Sequence, residues 1–295
     1  MANLNSTRRF SGRVENYIKY RPGYPPQVIN FLKDELGFTS ESVVADVGSG
    51  TGILAAMFLE HGNRVFGIEP NAEMRQAAEE LLNRYKNYVS VAGTAEVTTL
   101  PPASVDLITA GQAFHWFDRS AARAEFQRLL KPEGHVVILW NDRRNDTLFL
   151  QEYEALLREF AIDYSEVDHR QIDEEIMKMF LGQGYSGLRV FDNHQELDEE
   201  GILGRVLSCS YMPAPEHRNY QPMVEALKSL FEHFQQNGKV TISYKTLLYY
   251  GQLAVDFLHF VRRRQDACGP IMRTGCPRCL WRDAKMPIYF CAGPN

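Results

Sequence analysis

No segment of this 295-residue chain strings together the roughly twenty apolar residues that a bilayer-crossing helix needs. Its first ten residues, MANLNSTRRF, hold no apolar core of the kind a secretory leader carries. Both absences give the expectation of a cytoplasmic protein without a membrane span. Cysteine is scarce: Cys209 stands alone in the body, while Cys268, Cys276, Cys279 and Cys291 crowd the end. An odd count and a nearly clean body argue against a disulfide framework. Internal repeats and low-complexity tracts are missing too. So is a surplus of positive charge. The net charge is −5, yet residues 260–295 hold seven Lys and Arg against two Asp, so the remainder is more acidic than the total. An acidic body speaks against a nucleic-acid partner and suits a cationic ligand at least as well as an anionic one.

What is present is an alternation. SVVADV (42–47), RVFGIE (64–69), YVSVAG (88–93), SVDLITAG (104–111) and HVVILW (135–140) read as strands. TGILAAMFLEHG (51–62), NAEMRQAAEELLNRY (71–85) and DRSAARAEFQRLL (118–130) read as helices, the last two capped by Asn71 and Asp118, with KPEG (131–134) as a turn. Such a rhythm predicts an α/β fold with a mostly parallel sheet covered by helices on both faces. After Trp140 the rhythm breaks. Residues 141–187 and 198–238 read chiefly as helices, with LRVFDNHQEL (188–197) as a sixth strand between them. KVTISYKTLLYYGQL (239–253) alternates as a long strand with Val240, Ile242 and Tyr244 on one face. The last forty residues carry no clear period.

The chemistry concentrates in VVADVGSGTG (43–52), where Gly48, Gly50 and Gly52 follow an acid at Asp46. Glycine weakens strands and helices alike, so three in five positions serve something other than stability. They stand where a strand ends and a helix begins, the place where open parallel sheets bind ligands and where free helix N–H groups are offered. A dinucleotide fingerprint would read G-x-G-x-x-G. Here the pattern is G-x-G-x-G with Ile53 beyond it, which fits a nucleoside bearing an amino acid better than one bearing a pyrophosphate. The second strand ends in Glu69, whose carboxylate can accept from both hydroxyls of a ribose; the plain alternative is a favourable start for the next helix.

At VVADVGSGTG, RVFGIEPN, VAGTAEVTTLPPASVDLITAGQAFHWFD and RLLKPEGHVVILWN the chain resembles the successive motifs of class I S-adenosylmethionine-dependent methyltransferases, and most of all the small-molecule branch called the type 11 methyltransferase domain. The AFHWF segment is similar to trans-aconitate-methyltransferase-like members. The resemblance spans about residues 10–253. It implies a Rossmann-like, seven-stranded sheet with an antiparallel last strand, a lid at 10–40, and substrate-side helical insertions at 141–187 and 198–238 after the fifth strand. It further implies that Asp46, Gly48, Ser49, Gly50 and Gly52 hold the amino-acid end and ribose of the cofactor. Glu69 would take the ribose hydroxyls, with Pro70 and Asn71 beside the adenine and Thr94, Ala95 and Glu96 flanking it. Gln112 would lie near the sulfonium, and Tyr20 and Arg21 would close the lid, Arg21 pairing with the methionyl carboxylate. Relatives often place Asp where Thr94 stands.

The expected reaction is methyl transfer to a small-molecule acceptor, a carboxylic acid among the candidates. His115 follows the fourth strand and is the candidate base; its alternative is to bond the loop. Phe114 and Trp116 would wall the pocket as a cation–π surface or as plain packing. Arg143 would meet an acidic substrate or sit as a solvated charge. Two other readings stay open: a regulatory protein that binds the cofactor without transferring methyl, and a nicotinamide-dependent oxidoreductase. The tail, 254–295, reads as a basic extension. Its four cysteines match the number of a zinc site, but spacings of 7, 2 and 11 lack paired knuckles, and no metal is expected.

Overall fold

Val44, Ala45 and Val47 are fully buried along one short strand, β1 (Val43–Val47), although a pleated strand turns neighbours to opposite faces. Only a strand inside a sheet covered on both sides satisfies that pattern. The computed structural model describes residues 14–162 and 173–253. In them β1 is joined by β2 (Arg64–Ile68), β3 (Tyr88–Val91), β4 (Val105–Gly111), β5 (Leu130–Arg143), β6 (Tyr185–Leu197) and β7 (Val240–Gly251), in the order β3-β2-β1-β4-β5-β7-β6. The first five strands run parallel; β7 inserts antiparallel between β5 and β6. This is the Rossmann-like, seven-stranded arrangement expected from the motifs.

Nine α-helices are seen among the described residues. On one face α2 (Gln27–Leu36) and α3 (Ile53–Glu60) press Phe31, Leu32, Leu54 and Phe58 against Val44, Leu107 and Leu139. On the other, α5 (Arg119–Leu129) and α7 (Glu174–Leu181) set Phe126, Met177 and Phe180 against Ala45, Ile108 and Ile138. α4 (Ala72–Leu81) follows β2 and starts where expected, Asn71 Oδ1 accepting from the Met74 N–H at 3.0 Å. Asp118 caps α5 in the same way through Ser120 and Ala121. A third core stands at the carboxyl ends of the parallel strands. There α6 (Leu148–Phe160), α8 (Glu199–Leu207) and α9 (Tyr220–Phe234) pack Tyr153, Leu157, Val206 and Leu227 on Val240, Ile242 and Tyr244 of β7. α1 (Val14–Tyr20) lies on α8, where a Cβ on Gly204 would run into the Tyr20 ring.

Two boundaries differ from the sequence reading. KPEG belongs to β5 and is not a free turn, and β5 continues past Trp140 to Arg143. KPEG bulges out of the ladder between Leu130, opposite Val105, and His135, opposite Leu107, while the extension past Trp140 has a partner far along the chain: β7 pairs with Val136 through Arg143, ending opposite Tyr244. Arg143 is therefore a strand residue and does not follow the strand. Among the described residues no helix is long and apolar enough to cross a membrane, and no group of three or more His, Cys, Asp and Glu is placed to hold a metal. The first part of the expected lid (10–13), residues 163–172 of the insertion, and the tail with Cys268, Cys276, Cys279 and Cys291 lie outside the described residues.

Candidate active site

Strand order reverses between β1 and β4, and the glycine loop leaves β1 at that crevice. Gly48, Gly50 and Gly52 have φ of 69°, 56° and 84°, a left-handed region that side chains disfavour. They differ in what surrounds them. A Cβ on Gly48 would stand 2.5 Å from the Ala113 Cβ, which cannot swing away, and one on Gly52 would stand 2.6 Å from the Leu82 side-chain tip, which would have to move. A Cβ on Gly50 would meet nothing within 4 Å. That is the bare backbone with open space before it that a ligand can lie against.

Glu69 ties this loop to the next helix. Its Oε2 accepts from the Gly50 N–H at 3.0 Å and its Oε1 from the Asn71 N–H at 2.9 Å. A carboxylate has about four acceptor sites, so both oxygens keep capacity for hydroxyl donors. Burial raises the Glu69 pKa, opposed by those two backbone bonds and by Arg75. Asp46 is buried more deeply. Thr109 Oγ1 donates to its Oδ1 at 3.0 Å and the Ala55 N–H points at the same carboxylate, while Oδ2 has no partner at hydrogen-bond distance among the described residues. Burial pushes it up to about 7, against the pull of Thr109. A cationic ligand at Oδ2 would supply the missing partner.

A cavity of about 140 Å³ opens from the loop toward the third core. Its sheet-side wall holds Asp46, Gly48, Ser49, Gln112, His115 and Trp116. Gln112 sits at φ 59°, a strained conformation for a residue with a side chain. His115 and Trp116 ride the short 3-10 turn Phe114–Trp116, the imidazole tilted 4.5 Å from Trp116 and edge-on to Trp140 at 5.3 Å. Asn141 pins the N-terminal segment over this end: its Nδ2 donates to Gly23 O at 3.1 Å, and its Oδ1 accepts from Thr246 and Asn193. Tyr17, Arg21 and Tyr24 thereby reach the cavity. The Arg21 guanidinium stacks on Tyr17 and donates to Ser208 O at 2.9 Å.

The opposite wall comes from β5, α6, α8 and β7: Arg143, Glu154, Arg205, Tyr211 and Tyr244. Arg143 pairs with Glu154 and lies over the Tyr153 ring; Arg158 shares the same carboxylate. Arg205 is only 6% exposed. It donates through Nε to Tyr244 Oη at 3.3 Å and through Nη1 to Cys209 Sγ at 3.1 Å. Burial alone would raise the Cys209 thiol, but Arg205 and Arg21 outweigh it and bring it down to about 6.

The sequence-predicted residues thus fall into three sets. Asp46, Gly48, Ser49, Gln112, His115, Trp116, Arg21 and Arg143 share the cavity. Gly50, Gly52, Glu69, Pro70 and Asn71 form the adjoining crevice between the loop and α4. Thr94 and Glu96 lie beyond it, with their side chains on local backbone: Thr94 Oγ1 accepts from the Val97 N–H, and Glu96 Oε1 from the Asp118 N–H, Ala95 being buried between them.

Three expectations are corrected. Phe114 is fully buried against Phe117 and Phe180, because the turn points it into the core and not at the cavity. Tyr20 packs on Gly204 and donates to Glu200 at 2.7 Å, so it docks α1 and leaves the cavity to Tyr17. Arg143 is neither solvated nor free, since Glu154 neutralises it. The sequence reading missed Tyr24, Trp140, Asn141, Glu154, Arg205, Tyr211 and Tyr244. Arg205 alone left a signal, an arginine next to Val206 and three after Ile202 on the apolar side of its helix.

Comparisons with known proteins bear on the family and the fold. A family profile described as a methyltransferase domain matches residues 45–138, from β1 into β5. An uncharacterized methyltransferase of Schizosaccharomyces pombe is 25% identical over 248 residues, 82% of this chain and 96% of that protein. Another from Geobacillus kaustophilus is 34% identical over 186 residues, 61% of this chain and 83% of that one. A solved structure from Anaeromyxobacter dehalogenans, described as a putative type II methyltransferase, superimposes with a TM-score of 0.61 at 20% identity, covering 79% of this chain and 98% of that one, which establishes the shared fold.

Proposed function

We propose, from the premise that this chain belongs to the class I S-adenosylmethionine-dependent methyltransferases, that its crevice and cavity align the donor with a small-molecule acid. S-adenosylmethionine, when bound, supplies a methyl group on a positively charged sulfur, so the chain's own work is to bind, orient and exclude water. In this reading the Gly48–Gly52 backbone and Asp46 take the amino-acid end, Arg21 its carboxylate, and Glu69 the ribose hydroxyls. Pro70 and Asn71 lie beside the adenine, with the Thr94–Glu96 segment at its far edge. Gln112 and Trp116 face the reacting end. Holding two reactants in line is worth up to several orders of magnitude in rate. His115 takes the proton of a hydroxyl or amine acceptor; a carboxylate acceptor needs no base. Tyr20 and Phe114 support the site from behind.

The observation that carries the reading is the open left-handed backbone at Gly50, bonded to Glu69, beside a buried carboxylate with an unused oxygen. A nicotinamide dinucleotide has nothing comparable to recommend it, since Ile53 opens α3 where its fingerprint continues. Titration calorimetry with S-adenosylhomocysteine tests the donor site, with micromolar binding expected. Incubation with methyl-labelled donor and a cell extract tests transfer: label should appear on a small acid. Tight binding with no labelled product would leave a regulatory protein instead, and no binding at millimolar ligand would end the proposal.

A further inference from the structure

The arginines of the cavity are not treated alike. Arg143 is neutralised by Glu154 and Arg144 by Asp146. Arg205, the most buried of them, contacts a phenol and a thiol and forms no ion pair with a carboxylate among the described residues. A guanidinium has five donors, and two are used. Taking such a charge out of water costs several kcal/mol unless a counter-charge repays it; the Tyr244 phenol repays little, and the Cys209 sulfur, its proton held less tightly beside Arg205, engages one corner of the planar fork. The readiness of Cys209 to lose its proton marks the same surplus of positive charge. The guanidinium is held rigidly for a purpose other than packing: Tyr244 Oη, which accepts from Arg205, itself donates to Gln195 Oε1 at 3.0 Å, and Gln195 Nε2 donates to Tyr20 O at 3.1 Å. Ser210, Tyr211 and Tyr244 line the cavity around it.

We propose that the cap end of the cavity is an oxyanion subsite in which Arg205, flanked by Ser210, Tyr211 and Tyr244, binds a carboxylate or phosphate carried by the methyl acceptor. A planar fork suits either oxyanion. The subsite rests on the methyltransferase reading for the identity of its ligand as an acceptor. It selects small acids over their neutral analogues, because an oxyanion makes charge-assisted bonds to the remaining guanidinium donors and an uncharged group makes weaker ones. Arg205 is a specificity residue; it acts on acceptor affinity and has no part in holding the donor.

The test is thermal melting of the full chain at low salt, with and without saturating S-adenosylhomocysteine. The probes are glutarate, glutaramide, phosphoethanolamine and ethanolamine at millimolar concentration. Glutarate or phosphoethanolamine should raise Tm while glutaramide and ethanolamine do not, and whichever anion gives the larger shift identifies the source. Arg205→Gln should abolish the shift and leave S-adenosylhomocysteine affinity within about twofold, and Arg205→Lys should weaken the anion about tenfold or more. Equal shifts from the neutral analogues, a shift retained in Arg205→Gln, or no shift with either anion would each overturn the subsite. Should the Gln variant fail to fold, the wild-type comparison of acid with amide decides. Failure of S-adenosylhomocysteine to bind would strike the methyltransferase reading, while the anion measurements made without it still judge the subsite.

Discussion

The two walls of the cavity are built by opposite means. The sheet-side wall and the crevice beside it lean on backbone: left-handed glycines, a helix N-terminus, Glu69 held by two main-chain N–H groups, and Asp46 held by the Thr109 hydroxyl. The cap-side wall is side chain: long arginines and tyrosines from four separate elements, braced by one another. Backbone recognition tolerates few substitutions and serves one constant ligand. Side-chain recognition changes one residue at a time and serves a varying one. Under the proposed reading, the donor and acceptor halves of the site answer to different physical constraints, even where they share a single cavity.

The sharpest way to break this division is Gly50→Ala. Its Cβ meets no protein atom, so the fold pays only the left-handed backbone strain, about 1–2 kcal/mol. The ligand space is filled, however, and S-adenosylhomocysteine affinity should fall by about a hundredfold or more in calorimetry; unchanged affinity would mean that the backbone wall holds no donor. The cap wall should respond in the reverse sense. Glu154→Gln leaves the buried Arg143 without its carboxylate, and removing one partner of such a pair costs about 3–5 kcal/mol. A drop of several degrees in Tm with donor affinity retained is the expected outcome.

The smallest expected effect concerns Asp46. Its pKa is raised in the fold, from 3.8 to about 7, mainly by burial. A raised carboxyl contributes stability that is fully present below its unfolded pKa and is lost as pH rises through about 7. The ligand-free protein should therefore melt lower at pH 8 than at pH 5, and Asp46→Asn should lack that component of the loss. Donor affinity runs the other way, because a cationic amino-acid end favours the ionised carboxylate. It should be about tenfold weaker at pH 6 than at pH 8 in the wild type, and weaker and nearly flat with pH in Asp46→Asn.

Legibility in the sequence follows the same line. The parallel half of the sheet, the caps at Asn71 and Asp118 and the glycine loop were readable because each depends on neighbours a few residues away. The end of β5 was not, since the strand continues to Arg143 only where β7, a hundred residues later, supplies hydrogen-bond partners. Phe114 and Trp116 are two residues apart and look equivalent as text; the 3-10 turn sends one into the core and the other to the cavity. Tyr17 and Tyr20 divide in the same way once Gly204 makes room for Tyr20.

The sequence by itself determined the alternation of strands and helices and the bare turn after the first strand, because local sterics and periodicity decide both. Tertiary structure alone decided which charges are neutralised and which are left facing the cavity. Which partner an arginine meets depends on how separate elements dock: Arg143 of β5 meets Glu154 of α6, while Arg205 of α8 meets the Tyr244 phenol of β7, and no one-dimensional pattern encodes that difference.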